Sequence, residues 1–155
     1  MNRTAAVLTA RPFSEEDGRA VCTWRYPPPY DVYDLPPWET ARARGYGVAD
    51  AEKRAQFTAV CRGGALAGFF RLRPEDGGVT LGLGLAPEHC GQGLGGALLA
   101  LCIGAAAARF PGKPLRLEVR AFNARAIRCY RAAGFCETGR FSRAGAAFVR
   151  MERES

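Results

Sequence analysis

The period of the apolar positions changes several times along this chain, and each change marks an element. VLTARPF (Val7 to Phe13) reads as a short strand. Ser14 follows as an N-cap with Glu15, Glu16 and Asp17 in the first turn, opening a helix expected to carry Ala20, Val21 and Trp24. YPPPYDVYDLPP (Tyr26 to Pro37) excludes regular helix or central strand, because proline fixes its own φ and restrains the residue before it. A helix is expected from Trp38 to about Arg44, then a polar stretch to Arg54. QFTAVCR and ALAGFFRLR flank Gly63-Gly64, a pair suited to a two-residue hairpin turn, and PEDGG turns the chain again into VTLGLGLA. These predict three consecutive antiparallel strands.

The second half opens with PEHCGQGLGGALL (Pro87 to Leu99), a glycine-rich loop that runs into an alanine- and leucine-rich helix from Leu94 to Arg109, ended by Pro111-Gly112. LRLEV (Leu115 to Val119) reads as a buried strand. Asn123 suits the N-cap of a helix, ARAIRCYRAA, that places Ala126, Ile127, Tyr130 and Ala133 on one face and stops at Gly134. FCETGRF and AAFVRMER read as a closing pair of strands. With no internal repeat and no linker, the expectation is one α/β (α+β) domain over residues 1–155, its mixed, mostly antiparallel sheet flanked by helices.

Composition narrows the function classes. A chain of 155 residues buries a core without staples. No apolar run reaches the roughly 20 residues that span a bilayer, and the N-terminus has no apolar stretch of the secretory kind, so no membrane partner and a cytoplasmic location are expected. Six cysteines (Cys22, Cys61, Cys90, Cys102, Cys129 and Cys136) show no C-x-x-C pair, and their apolar surroundings predict reduced core thiols. His89 is the only histidine, which argues against a metal site and against Ser-His or Cys-His catalysis. The net charge of +7 is carried by 20 arginines and only Lys53 and Lys113. They are scattered rather than gathered into a tail, and no RNA-binding signature accompanies them, so an anionic small ligand explains the sign and nucleic acid is not expected.

The glycines indicate where such a ligand would sit. Gly91, Gly93 and Gly96 satisfy G-x-G-x-x-G, and Glu118 stands about where a ribose-binding acid is expected. A dinucleotide fold is opposed by Pro87 to Cys90, which separate the glycines from the strand, and by the mere 37 residues that follow Glu118. The Walker pattern fails because Ala97 follows Gly96. What remains is bare backbone N–H at a helix N-terminus, open to close approach by a phosphate.

On these residues the chain resembles the GNAT superfamily of N-acetyltransferases, whose pyrophosphate loop has the form Arg/Gln-x-x-Gly-x-Gly/Ala. Cys90-Gly91-Gln92-Gly93-Leu94-Gly95 fits it, LEVRAFNARAIRCYRAAGF carries Asn123, Ala126, Tyr130 and Gly134-Phe135 at the family's spacing, and FVRMER matches its usual last strand. The likeness covers about Leu66 to Glu152. It implies acetyl-CoA as donor and a primary amine as acceptor, either on a small cationic molecule or at a protein N-terminus of the ribosomal-protein type. A non-catalytic acyl-CoA sensor is the other alternative, and a homodimer is left open. By the same resemblance the backbone of Leu83, Gly84 and Leu85 holds the pantetheine and the acetyl carbonyl, Gly91, Gln92, Gly93, Leu94, Gly95 and Gly96 the pyrophosphate, and Asn123 the pantetheine arm. No metal is implied.

Acetyl transfer needs a base to deprotonate the amine and an acid to protonate the departing thiolate. The resemblance implies Tyr130 as the acid and Glu118 as the base through a water. Cys90 stands where Arg or Gln is usual, which removes a polar side chain from the loop. Gly82 and Gly84 share one face of their strand, leaving room for a ligand or for the close approach of another element. In the proline-braced segment, Tyr26, Tyr30, Asp31, Tyr33 and Asp34 are candidate acceptor-binding residues, since aromatic faces and carboxylates suit a cationic amine. Arg125, Arg128 and Arg131 read as a solvated helix face or as contacts to a 3′-phosphate.

Overall fold

The computed structural model describes residues 7–154. The N-terminal reading rests partly on residues 1–6, which lie outside the described residues. Seven strands form one sheet: β1 (Leu8–Pro12), β2 (Phe57–Arg62), β3 (Ala65–Glu75), β4 (Gly78–Leu85), β5 (Leu115–Arg120), β6 (Cys136–Arg143) and β7 (Ala146–Arg153). Their order is β1-β2-β3-β4-β5-β7-β6. β4 and β5 pair in parallel, Val79 with Leu115 and Thr80 with Arg116, whereas β1 with β2, β5 with β7 and β6 with β7 are antiparallel. Among the described residues four α-helices accompany the sheet: α1 (Glu15–Val21), α2 (Trp38–Ala43), α3 (Leu94–Arg109) and α4 (Ala124–Ala132).

The local signals act as their chemistry requires. Ser14 caps α1 in a reciprocal box, its hydroxyl accepting from the Asp17 N–H while the Asp17 carboxylate accepts from the Ser14 N–H. The helix ends at Val21, so Trp24 lies in the turn beyond it rather than on the helix. Its ring instead stacks on Phe69 at 6.1 Å. Tyr30–Tyr33 forms a single 3₁₀ turn inside the proline-rich segment.

Contacts group the chain into two compact units. Among the described residues, the first comprises residues 7–70 and 83–94, the second residues 71–82 and 95–154. In the first, Phe13, Val21, Trp38, Ala41, Val48 and Phe57 are buried together, with Phe69 packed against them. The Phe69 ring meets those of Phe13 and Phe57 at 6.0 and 5.7 Å. In the second, Leu117 is in register with Met151 and Val119 with Val149, all four buried. Each such side chain contributes about 1.5–3 kcal/mol through its burial.

Of the six cysteines, all free, only Cys22, Cys61 and Cys102 are core thiols; Cys90 and Cys129 are half-buried and Cys136 is exposed. The expectation fails at Cys136 because it opens β6, the strand at the edge of the sheet, most of whose residues face solvent.

Candidate functional site

The glycine loop begins with a short 3₁₀ turn, Pro87–His89, and ends where α3 starts at Leu94. Gly91 and Gly93 adopt φ of +75° and +74°, a left-handed backbone that other residues take only with strain. A Cβ built on Gly91, Gly93, Gly95 or Gly96 would meet no heavy atom within 4 Å. The loop is therefore bare on its outer side, and the first N–H groups of α3 lack intrahelical acceptors. This arrangement fits a pyrophosphate, which needs backbone donors at close range and a favourable dipole. Gln92 is pinned from both ends of its amide: Oε1 accepts from Arg62 Nη1 at 2.7 Å and Nε2 donates to the Glu88 carbonyl at 2.8 Å.

The end of β4 is engaged by its own unit. The Tyr26 hydroxyl donates to the Leu85 carbonyl at 2.7 Å. Burial, followed by the nearby Cys90, Asp34 and Glu88, raises the Tyr26 hydroxyl well above the ordinary tyrosine range, so it remains a donor at neutral pH. The Cys90 thiol lies 3.5 Å from the Ala86 carbonyl and 3.8 Å from that of Leu85. Of the two readings of the bare glycine face, close packing wins at Gly84, where the Phe69 ring occupies the space a Cβ would need. Gly82 is different, its nearest neighbour being the Arg71 Cβ at an ordinary 3.5 Å.

In the proline-braced segment the Asp34 carboxylate accepts from the Tyr26 N–H at 3.0 Å, and on α2 Glu39 pairs with Arg42 at 3.7 Å. Both acids thus brace their own chain. Asp31 and Tyr33 are exposed and Tyr30 is half-buried.

In the second unit, Asn123 caps α4 through its side-chain oxygen, which accepts from the Ala126 N–H at 3.2 Å. Tyr130 lies on the half-buried face of α4, with its ring edge-on to Phe135 at 6.1 Å. Glu118 projects from the opposite face of β5 to the buried Leu117 and Val119. Its carboxylate is held by Arg143 at 3.0 Å and by Arg150, its cross-strand partner, at 3.6 Å. The rings of Phe141 and Phe148 stack 5.2 Å apart, with Arg143 over both and Arg150 over Phe141. Arg125, Arg128 and Arg131 are exposed on α4, and Arg131 pairs with Glu137 at 3.7 Å.

At the glycine loop and the end of β4, two contacts escaped the sequence. Tyr26 to Leu85 and Arg62 to Gln92 join positions 59 and 30 residues apart, and no local motif announces such pairs. Among the described residues no group of three or more His, Cys, Asp or Glu is placed to hold a metal ion, and no helix is long and apolar enough to cross a membrane.

The family model described as acetyltransferase (GNAT) family matches residues 18–135. No curated protein matches the chain in sequence. Among solved structures, a chimera of the spermidine N-acetyltransferase SpeG from Vibrio cholerae with hSSAT is similar at a TM-score of 0.69 and 21% identity, covering 95% of each chain. A ribosomal-protein alanine N-acetyltransferase from Escherichia coli is similar at a TM-score of 0.69 and 22% identity, covering 96% of this chain and 94% of that one. YncA from Salmonella typhimurium, determined with its cofactor acetyl-CoA, gives 0.65 and 19%, covering 95% and 93%. At these identities the likeness is one of fold.

Proposed function

Since the chain belongs to the GNAT family of acetyltransferases, enzymes that use acetyl-CoA as donor, we propose that it acetylates the primary amine of a small cationic molecule. The observation that carries this reading is the bare loop Gly91 to Gly96 running into α3, with Gly91 and Gly93 left-handed and open Cβ positions at Gly91, Gly93, Gly95 and Gly96 that suit a pyrophosphate. Leu83, Gly84 and Leu85 align the pantetheine by main-chain contacts, and Asn123 holds its arm. Gly84 contributes backbone only, and the Phe69 ring occupies the space a side chain there would need.

Bound acetyl-CoA supplies a thioester as the acyl donor. The chain supplies the proton movements: Tyr130 delivers a proton to the departing sulfur, and Glu118 accepts the ammonium proton through a water while Arg143 and Arg150 hold its carboxylate in place. For the acceptor, Asp31 with Tyr30 and Tyr33 offers one carboxylate and two aromatic rings on a single 3₁₀ turn, a combination suited to an ammonium group. Tyr26 and Asp34 shape that segment through their own hydrogen bonds.

A protein N-terminus is the second reading, favoured by the LEVRAFN run from Leu117 to Asn123. A thiol-release screen with acetyl-CoA against polyamines, amino acids and N-terminal peptides separates the two. Tyr130→Phe, assayed on the amine so found, should keep CoA affinity and lower turnover by ~10²-fold if the proton transfer limits the rate. Wild-type turnover in a stable Tyr130→Phe protein with chemistry limiting would remove the acid role, and CoA binding without release from any amine would point to the sensor.

A further inference from the structure

The loop carries Cys90 where the resembling pattern has Arg or Gln, so no cationic side chain stands at its first position. Six backbone amides and a helix dipole must then face a diphosphate without the charge-assisted bonds that usually strengthen anion binding. A guanidinium nevertheless reaches the loop from elsewhere in the first unit. Arg62 is the last residue of β2, and its Nη1 lies 2.7 Å from Gln92 Oε1, between the two left-handed glycines Gly91 and Gly93. The turn that follows is Gly63-Gly64, where an added Cβ would meet nothing within 4 Å.

The contact to Gln92 uses one of the five N–H donors of a guanidinium. Gln92 passes the restraint on, because its Nε2 donates to the Glu88 carbonyl at 2.8 Å and both ends of the amide are thereby fixed. Arg62 is thus oriented by the loop and tethers it in return.

We propose that Arg62 is a phosphate-binding residue of this enzyme, supplying from the end of β2 the cation that Cys90 does not, and contacting the pyrophosphate of acetyl-CoA while Gln92 holds it in place. This rests on the reading of Gly91 to Gly96 as the pyrophosphate loop. It assigns Gln92 a new role, as the link between strand and loop rather than a ligand contact alone.

The test is calorimetry with three probes: CoA, dephospho-CoA, which keeps the pyrophosphate and lacks the 3′-phosphate, and pantetheine, which lacks both. Arg62→Ala should weaken CoA and dephospho-CoA about tenfold each and leave pantetheine within twofold. Arg62→Lys, which keeps the charge without the fork, should recover part of the loss. Gln92→Ala, an exposed position, should weaken CoA severalfold and keep the protein folded, so the proposal stays testable if Arg62→Ala does not fold. Unchanged CoA affinity in folded Arg62→Ala or in Gln92→Ala would overturn it, as would loss for CoA but not dephospho-CoA, or equal loss for pantetheine. Gly93→Asp reports on the underlying reading alone. It should abolish CoA binding, and normal affinity there would dismiss the loop itself, whatever Arg62 does.

Discussion

Tyr26 and Leu85 are joined by a 2.7 Å hydrogen bond from a phenol to a main-chain carbonyl, across 59 residues of sequence. It ties the proline-rich segment to the last residue of β4, the strand proposed to hold the pantetheine. Tyr26→Phe keeps the ring and removes the donor. The expected cost is about 1 kcal/mol, a fall in Tm of roughly 2–4 °C. If the bond also sets the Leu85 backbone for acetyl-CoA, the variant's KM for acetyl-CoA rises severalfold, and steady-state kinetics beside a melting curve separate the two effects.

Gly84→Ala should be among the most damaging single-methyl substitutions in the first unit. The new Cβ would overlap the Phe69 ring, which packs with Phe13, Phe57 and Trp24 and has little room to withdraw. Overpacking of this kind costs about 1–3 kcal/mol. Denaturant unfolding should show that loss, and Phe69→Leu in the same chain should return part of it. Gly82→Ala, whose nearest neighbour is 3.5 Å away, should be milder on both stability and strand geometry.

Glu118→Gln distinguishes a base from a tether. If the carboxylate relays the amine's proton, kcat falls at least tenfold while CoA affinity and melting temperature stay near wild type. If it serves only to anchor Arg143 and Arg150, kcat is kept and stability falls by no more than the roughly 0–1 kcal/mol of a half-exposed ion pair. Arg143→Gln, read alongside it, should alter kcat only in the first case.

Asp17 makes stability depend on acid. Its carboxylate is held by Arg11 at 2.6 and 2.8 Å and by the Ser14 N–H, and chiefly the Arg11 bond keeps it below the usual carboxylate range despite burial. A lowered folded pKa means the stabilisation is complete above the unfolded carboxylate value of about 3.9 and is lost as pH falls through the folded value. Asp17→Asn should melt about 2 kcal/mol less stable at pH 7, from the lost ion pair and weakened cap, and should lose less than wild type between pH 5 and pH 3. Melting curves across that range decide it.

The extent to which these features could be read beforehand follows from their locality. α3 runs from Leu94 to Arg109 as its composition and its Pro111-Gly112 stop require, and the Ser14 cap and Gly63-Gly64 turn are set by neighbours a few residues away. The glycine loop was legible for the same reason. Trp24 lies off the helix because its partner, Phe69, is a tertiary one and outweighs helix periodicity. The guanidiniums on Glu118 come from β6 and β7, and Arg62 reaches Gln92 from another strand, so charge counting alone could not say which of the 20 arginines matter.

The division of the chain has a consequence for how such a protein can be taken apart. Because residues 71–82 belong with the C-terminal unit and residues 83–94 with the N-terminal one, β3, β4 and α3 each change unit along their length. No single cleavage releases either unit whole: a fragment ending at residue 94 carries off a strand end of its counterpart, and one ending at residue 70 forfeits the glycine loop up to Leu94. Genetic exchange between relatives at residue 70 or 82 would cut β3 or β4, and at residue 94 would cut α3, so none of these junctions swaps whole elements.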